Sequence, residues 1–499
     1  MSKPGSITRL LIANRGEIAS RIIATCHRSG IQTIAIAAPG DELLPYAAEA
    51  THCHPLQGET LSETYLNIPA IIAAAIAQGA QAIHPGYGFL SENAAFADAV
   101  KKAGLIWVGP PGKSIRAMGS KAAARQCAAK LGIPVVPGYD GEAQDEKTLV
   151  KEAARIGFPL LVKAAAGGGG KGMRVVEDKS GLAPAIALAK AESKTAFGDD
   201  RLILERYLTR PRHIEIQLMA DTHGHVLAIG ARDCSIQRRH QKVLEESPAP
   251  GLPAATLTAM EDAAIRLAKN IGYTGAGTIE LMLEESSGEW FFLEMNTRLQ
   301  VEHPVTELVH GLDLVTLQLA VAQGEKLPAT APAARGHAIE ARLCAEDPDS
   351  GFLPSTGLIE HLSLPNLPGI RYDMGYAAGH AITPRYDPMI GKIIAFGTTR
   401  EEARQRLLHA LRSMVFVGPA TNRDYLCRLL AHPAFAKASL STGFITEHEK
   451  KLSRPPLNTQ QQAALVATHL LAGQQAGASS QHAPAQQPNI WQQIGRLYG

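Results

Sequence analysis

The sequence predicts a chain that is α/β at its start and α+β towards its end, divided into three folded segments and a tail. Three observations carry this. At 499 residues the chain exceeds one compact core and fits about three units of roughly 150 residues each. Its opening alternates short apolar runs with stretches of helical spacing. Its later parts hold longer runs of strand character around a glycine-rich loop. The expected boundaries are 1–118, 119–330 with a lid over about 134–206, 331–447, and a Gln/Ala-rich linker or tail over 448–499.

In the first segment Arg9-Leu10-Leu11-Ile12-Ala13 is a short apolar run. Asn14-Arg15-Gly16-Glu17 turns the chain, and Ile18, Ile22 and Ile23 recur at helical spacing. Runs at Thr33–Ala38 and Ala80–Ile83 each precede loop residues, the pattern of an open parallel sheet. Ligands of such sheets bind at the strands' C-terminal ends. The segments Asn14–Glu17 and His84–Glu92 fall there. The second segment has an apolar strand, Pro159–Lys163, leading into four consecutive glycines. The third mixes strands at Leu358–Leu362 and Lys392–Phe396 with a helix over Arg400–Ser413. From about Leu452, Gln, Ala, Ser and Pro dominate, a composition that buries little surface, with one short helix expected over Gln460–Leu471. No internal repeat is present.

Composition narrows the function. Apolar residues make up 45 % of the chain and the net charge is +2, so nucleic acid is a poor partner. The six cysteines are scattered with no CxxC pair, which fits a reducing compartment and excludes a zinc ribbon. The N-terminus lacks the apolar core of a signal peptide, and the most apolar stretch, Ile68–Ala77, falls far short of the ~20 residues that span a bilayer. A cytoplasmic enzyme without membrane contact is expected.

The chemistry concentrates in the second segment. Gly167–Gly170, bracketed by Lys163 and Lys171, lets backbone amides turn towards a polyphosphate. A flexible hairpin is the alternative, and the spacing is not that of a P-loop. Glu280 and Glu294 each end an apolar run, and Asn296 follows closely. Two such strands side by side make a hard-oxygen site suited to Mg²⁺ and nucleotide phosphates. In Thr297–Pro304 a strand would turn Arg298, Gln300 and Glu302 to one face, placing a base beside an anion-binding arginine. Arg232–Lys242 is a dense basic block, expected as an anchored loop over an anionic site.

Together these residues resemble the ATP-grasp fold and, within it, the biotin carboxylase component of biotin-dependent carboxylases. The matching stretches are Ile12–Ala19, His84–Asn93, the glycine loop, Arg232–Lys242, Glu294–Glu307, Arg342 within EARLCAEDP, and Tyr386–Lys392. The resemblance implies an N-terminal α/β domain, an ATP-grasp domain with a mobile glycine-rich lid, and a C-terminal α+β domain. It implies that Lys121, Lys163 and His213 contact ATP, that Glu205, Tyr207 and Leu208 lie on the segment holding adenine, and that Gln237 and His240 lie near the nucleotide. Gly168 and Gly169 would close over its phosphates. Glu280 and Glu294 would bind Mg²⁺, or Mn²⁺ in its place, with Asn296 nearby. Arg298, Gln300 and the Val301 backbone would cradle bicarbonate beside Lys242. Glu302 would be the base, and Arg342 would stabilise the enolate-like ureido oxygen of biotin.

The resemblance also implies partners: a biotin carboxyl carrier protein or biotinyl domain, a carboxyltransferase, and a second copy in a homodimer or larger complex. No Met-Lys-Met segment marks a biotin-carrying lysine, so biotin is expected on a separate or missing carrier. Ala24 and Arg28 do not reproduce the charges that relatives use in dimer contacts. His52-Cys53-His54 is read as binding no metal. Two rivals share part of the pattern. A different ATP-grasp ligase would need only Lys163, Glu280 and Glu294, whereas Arg298–Glu302 and Arg342 suit bicarbonate and biotin. A non-catalytic scaffold has no need of the full set of polar side chains. A nicotinamide-dependent dehydrogenase is excluded, because no GxGxxG follows the first strand.

Overall fold

The computed structural model describes residues 6–455 apart from 165–172 and 240, together with 459, 460 and 463. Gly168, Gly169, Lys171 and His240 lie outside the described residues, as does most of the helix expected over Gln460–Leu471.

Five short strands open the chain: β1 (Arg9–Ile12), β2 (Gln32–Ala37), β3 (His52–Pro55), β4 (Ala82–His84) and β5 (Ile106–Trp107). They pair in parallel in the order β3-β2-β1-β4-β5. Parallel neighbours need crossovers. The helices Gly16–Arg28, Ile68–Ala77 and Ala94–Lys102 supply them. Leu10, Leu11 and Ile12 of central β1 are fully buried, because helices cover both faces of the sheet. Strand order reverses between β1 and β4, where the chain ends of an open sheet leave a crevice. There Asn14 Nδ2 donates to the carbonyls of Pro85 and Tyr87 at 2.8 and 2.7 Å. Gly86 has φ +65, and a Cβ on it would sit 2.9 Å from that same Nδ2. Glycine is therefore required where the two strand ends meet.

A small antiparallel sheet follows, ordered β6-β9-β7-β8: β6 (Gly138–Tyr139), β7 (Leu160–Ala164), β8 (Arg174–Val176) and β9 (Leu202–Arg206). Its alternating buried residues Leu160, Val162, Leu202 and Leu204 pack on Leu149 and Ile186 of two flanking helices.

The largest element is an eight-stranded antiparallel sheet. Its strands are β10 (Pro211–Ala220), β11 (Val226–Arg238), β12 (Gln241–Ser247), β13 (Gly275–Glu284), β14 (Trp290–Asn296), β15 (His337–Cys344) and two more, Met389–Gly397 and Ile370–Met374. They run β14-β13-β10-β11-β12-β15, then Met389–Gly397 and Ile370–Met374. One hydrogen-bonded surface thus joins the segments that the sequence divides at residue 330, through the β12–β15 ladder.

Three local expectations change. The strand expected over Leu358–Leu362 is two, Gly357–Leu358 and His361–Ser363, each in its own two-stranded sheet. Thr297–Glu302 is a loop rather than a strand. The Thr297 amide bonds to Glu92 Oε1 at 3.1 Å instead of to a ladder, and Glu302 is the N-cap of the helix His303–His310, whose Pro304 favours a helix start. The basic block is a hairpin, β11 into β12, and not an overlying loop. Among the described residues no single helix is long and apolar enough to cross a membrane. The bent pair His303–His310 and Leu314–Ala322 passes such a test only jointly, and it packs in the core.

Candidate active site

Strand register decides which side chains converge. Glu215 of β10 stands opposite Glu280 of β13 and Arg232 of β11, and Glu280 stands opposite Glu294 of β14. Directly opposed residues in an antiparallel pair lie on one face. The acids therefore collect on one side of the sheet, and buried acids need cations. Arg232 is fully buried. It donates to Glu215 Oε2 at 2.9 Å, Gln217 Oε1 at 2.7 Å and Thr278 Oγ1 at 3.1 Å.

Lys242, at the start of β12, is the hub. Its Nζ donates to Glu280 Oε1 at 2.9 Å, to Glu302 Oε1 at 2.7 Å, and to Glu215. Burial opposes its charge, but these acids outweigh burial and raise its pKa well above the usual lysine range. Glu302 is completely buried and is gripped from the other side by Arg342 Nη2 at 2.8 Å. Burial alone would push its carboxyl up. Lys242, Arg342 and Arg232 overcome that and hold it well below the usual carboxylate range. Glu302 is thus held as an ionised carboxylate, shielded from bulk solvent.

Glu280 accepts from Asn296 Nδ2 at 2.6 Å besides Lys242, and His213 Nε2 lies 3.0 Å from its other oxygen as an ion-pair partner. Burial raises its pKa, but Lys242 and His213 lower it further. Glu280 acts in turn on His213: it outweighs burial and raises the imidazole pKa. Glu294 is partly open and faces Lys121 Nζ at 3.3 Å. Two carboxylates from adjacent strands and the amide of Asn296 form an oxygen-rich edge that fits a hard divalent cation.

Arg298 is held from three sides. Nε donates to Glu92 Oε2 at 2.9 Å, Nη1 to Gln300 Oε1 at 2.8 Å and Nη2 to Asn296 Oδ1 at 3.1 Å. Lys392, fully buried, donates to the Val301 carbonyl at 2.7 Å and fixes the peptide that carries Glu302. On the small sheet Lys163 Nζ meets Glu205 Oε2 at 2.5 Å, with Arg125 on the other carboxylate oxygen.

Most of the site's polar side chains open onto one cleft of about 2730 Å³ between the small sheet and the large one, with Glu92, Glu215, Arg232 and Lys392 set behind its wall. Lys121, Lys163, Glu205, Tyr207, Leu208, His213, Gln237, Lys242, Glu280, Glu294, Asn296, Arg298, Gln300, Val301 and Arg342 line it. Glu302 does not; it lies one layer behind, reached through Lys242 and Arg342. Sequence reasoning missed Glu215, Glu245, Arg125 and Lys392. Glu215 was legible, since it lies two residues beyond His213 on a strand and so shares its face. Lys392 ends the matching stretch Tyr386–Lys392 and Glu245 follows the basic block, but their roles were not legible, because their partners are remote in sequence.

Comparison with known proteins agrees with this architecture. Residues 6–115 match the biotin carboxylase N-terminal domain, residues 120–330 the carbamoyl-phosphate synthase L chain ATP-binding domain, and residues 340–447 the biotin carboxylase C-terminal domain. The chain is 45 % identical over 469 residues to the mitochondrial methylcrotonoyl-CoA carboxylase subunit alpha of Dictyostelium discoideum, covering 93 % of this chain and 67 % of that one. It is 44 % identical over 444 residues to a biotin carboxylase of Nostoc, covering 89 % of this chain and 99 % of that one. The biotin carboxylase domain dimer of Hydrogenobacter thermophilus 2-oxoglutarate carboxylase, solved with MgADP, ADP and bicarbonate, superposes with a TM-score of 0.83 at 39 % identity, over 90 % of this chain and 99 % of that one. The chain spans about two thirds of the length of the methylcrotonoyl-CoA carboxylase alpha subunits it matches.

Proposed function

The chain belongs to the biotin carboxylase family, and we propose that its cleft performs the ATP- and bicarbonate-dependent carboxylation of biotin with the residues assembled above in definite roles. The reaction is that of a ligase: ATP gives ADP and phosphate while a C–N bond forms on biotin. ATP and Mg²⁺ are the cofactors. The observation that carries the reading is the buried, ionised Glu302 clamped between Lys242 and Arg342 behind the Arg298–Val301 loop. Two cations stand within hydrogen-bonding reach of the base, and the anion cradle is the stretch of chain that immediately precedes it.

In this reading Arg298, Gln300 and the Val301 amide hold bicarbonate, and Glu302 accepts its proton as the bicarbonate oxygen attacks the γ-phosphorus and ADP leaves. Carboxyphosphate then splits into CO₂ and phosphate. That phosphate takes the N1 proton of biotin, Arg342 steadies the charge on the ureido oxygen, and N1 attacks CO₂. Glu280 and Glu294, with Asn296 beside them, hold Mg²⁺, which offsets charge on the transferred phosphoryl group when bound. Lys121, Lys163 and His213 face the nucleotide, and Glu205, Tyr207 and Leu208 line the adenine end, with Gln237 near it. Gly168, Gly169 and His240, which the family resemblance assigns to the nucleotide, lie outside the described residues. The domain limits proposed are 1–118, 119–330, 331–447 and a tail from 448.

The likeness to acyl-CoA carboxylase alpha subunits supports a carrier-borne biotin, a carboxyltransferase partner and a second copy of the chain as companions. A methylcrotonoyl-CoA-type acceptor is the reading nearest to the relatives. A cytoplasmic location accords with six cysteines that are all unpaired. The deciding experiment measures ADP release with Mg²⁺, adding or withholding bicarbonate and free biotin. Release that needs bicarbonate and rises with biotin is expected. ATP cleavage that instead needs an amine or another acid would move the chain to a different ATP-grasp ligase class.

A further inference from the structure

A buried charged layer lies beneath the cleft, and its acids outnumber its cations. It covers one face of the ladders from β12 through β15 to the strands Met389–Gly397 and Ile370–Met374. Glu245 stands opposite Glu340, Arg342 opposite Lys392, and Lys392 opposite Asp373. Glu17 and Arg21 of the first helix face this layer, as do Glu302 and Glu307. The cations Arg342, Lys392, Arg371 and Arg21 meet the acids Glu245, Glu340, Glu302, Glu17, Asp373, Glu307 and Asp313. Lys242 reaches this group only at Glu302.

The Glu245–Glu340 pair shows where a proton must remain. Both residues are buried, and like charges directly opposed on adjacent strands repel. Two such carboxyls, both buried from bulk solvent, do not both ionise. They are not equivalent. Glu245 Oε1 accepts from Arg342 Nε at 2.5 Å, whereas neither oxygen of Glu340 has a hydrogen-bond partner among the described residues. The carboxyl with a guanidinium takes the charge, and the one without a donor keeps the proton. Burial also pushes Glu340 well above the carboxylate range and Glu245 less far, to about 7, with Arg342 pulling the latter back.

Arg342 is therefore anchored twice, by Glu245 and by Glu302, and these two occupy Nε and Nη2. Nη1 is the donor left for a ligand in the cleft. When Glu302 takes the bicarbonate proton it loses its charge and its hold on Arg342, and Glu245 remains. We propose that Glu245 is a positioning residue for the biotin half-reaction: with Glu340 opposite it kept neutral, its carboxylate holds Arg342 in place after Glu302 has been protonated. The inference rests on the reading that Arg342 serves the biotin step.

The test uses the purified full chain with MgATP and two readouts. One is bicarbonate-dependent ADP release without biotin; the other is carboxybiotin formation from free biotin. Glu245→Gln keeps the shape and removes the charge. It should cut carboxybiotin formation about tenfold or more, as expected for a misplaced catalytic cation. ADP release without biotin should stay within about twofold, since no transition-state contact of that step is lost. Equal loss in both readouts, or in neither, overturns the proposal. Arg342→Ala is the control. If it fails to separate the two readouts, the role given to Arg342 is what falls, and the inference falls with it. If it separates them and Glu245→Gln does not, the inference alone fails. A second measurement needs no Glu245 variant. The infrared absorption of protonated carboxyls, read at about pH 9 where Glu17 has lost its proton, should fall by one carboxyl in Glu340→Gln. A difference spectrum without that loss also overturns the proposal.

Discussion

A carboxylate that is to accept a proton has to be ionised before its substrate arrives, and Glu302, buried from bulk solvent, meets that need through Lys242 and Arg342. The arrangement weakens Glu302 as a base while fixing its direction. Bicarbonate is a poor nucleophile, so direction and closeness matter more than basicity. Glu302→Gln should lower bicarbonate-dependent ADP release by about a hundredfold or more while leaving the ATP KM nearly unchanged. Steady-state kinetics check this, and unchanged turnover would remove Glu302 from the role of base. Arg342→Ala should lower carboxybiotin formation more than it lowers ADP release without biotin. Equal loss would assign Arg342 to phosphate or to structure.

Among the elements, the first helix and the strand Met389–Gly397 meet through Glu17 and Lys392, whose Nζ lies 3.4 Å from the carboxylate. Burial raises Glu17 to about 7, and Lys392 only partly offsets it. The folded pKa lies above the unfolded value, so between about pH 4.5 and 7 the folded chain holds a proton that the unfolded chain has released. In that window this group makes stability fall as pH rises; above about 7 its cost is complete. Glu17→Gln removes the titration. The urea midpoint of native chain and variant, compared at pH 5 and pH 8, should show the variant gaining on the native chain as pH rises. A difference that does not change with pH would refute this account. Lys392 also links this contact to the site, because its bond to the Val301 carbonyl sets the turn from which Glu302 projects.

Across the whole molecule, the N-terminal sheet is tied to the last third of the chain by a buried clamp. Arg15 Nε donates to Asp41 Oδ2 at 2.9 Å, Nη2 donates to Tyr376, and the guanidinium lies 3.7 Å from the centre of the Tyr386 ring. Tyr65 also donates to Asp41, at 2.6 Å. Arg15→Met should destabilise the chain by about 3 kcal/mol or more, because Asp41 would remain buried without its cation. Denaturant unfolding measures this. A change below about 0.5 kcal/mol would show that Tyr65 alone satisfies Asp41.

By itself the sequence determined the parts whose signals are local. Three of the five parallel strands read from apolar runs, the helix Arg400–Ser413 from its spacing, and the family from motifs spread along residues 7–446. Gln237, Lys242, Glu294, Asn296, Arg298, Gln300, Val301 and Arg342 of the cleft lie in those motifs, whereas Lys121, Glu205, Tyr207, Leu208, His213 and Glu280 line it from outside them. Tertiary structure decided what depends on register between distant strands. It turned Thr297–Glu302 from an expected strand into a loop, since Glu92, 205 residues away, takes the Thr297 amide. It split the basic block over a hairpin and sent Arg232 inward to Glu215. It ran one sheet through the boundary at 330 and set Glu245 against Glu340 and Arg342 against Lys392. Whether a buried charge survives depends on which opposite charge the fold brings within about 4 Å of it. That neighbour is named by strand pairing and not by position along the chain.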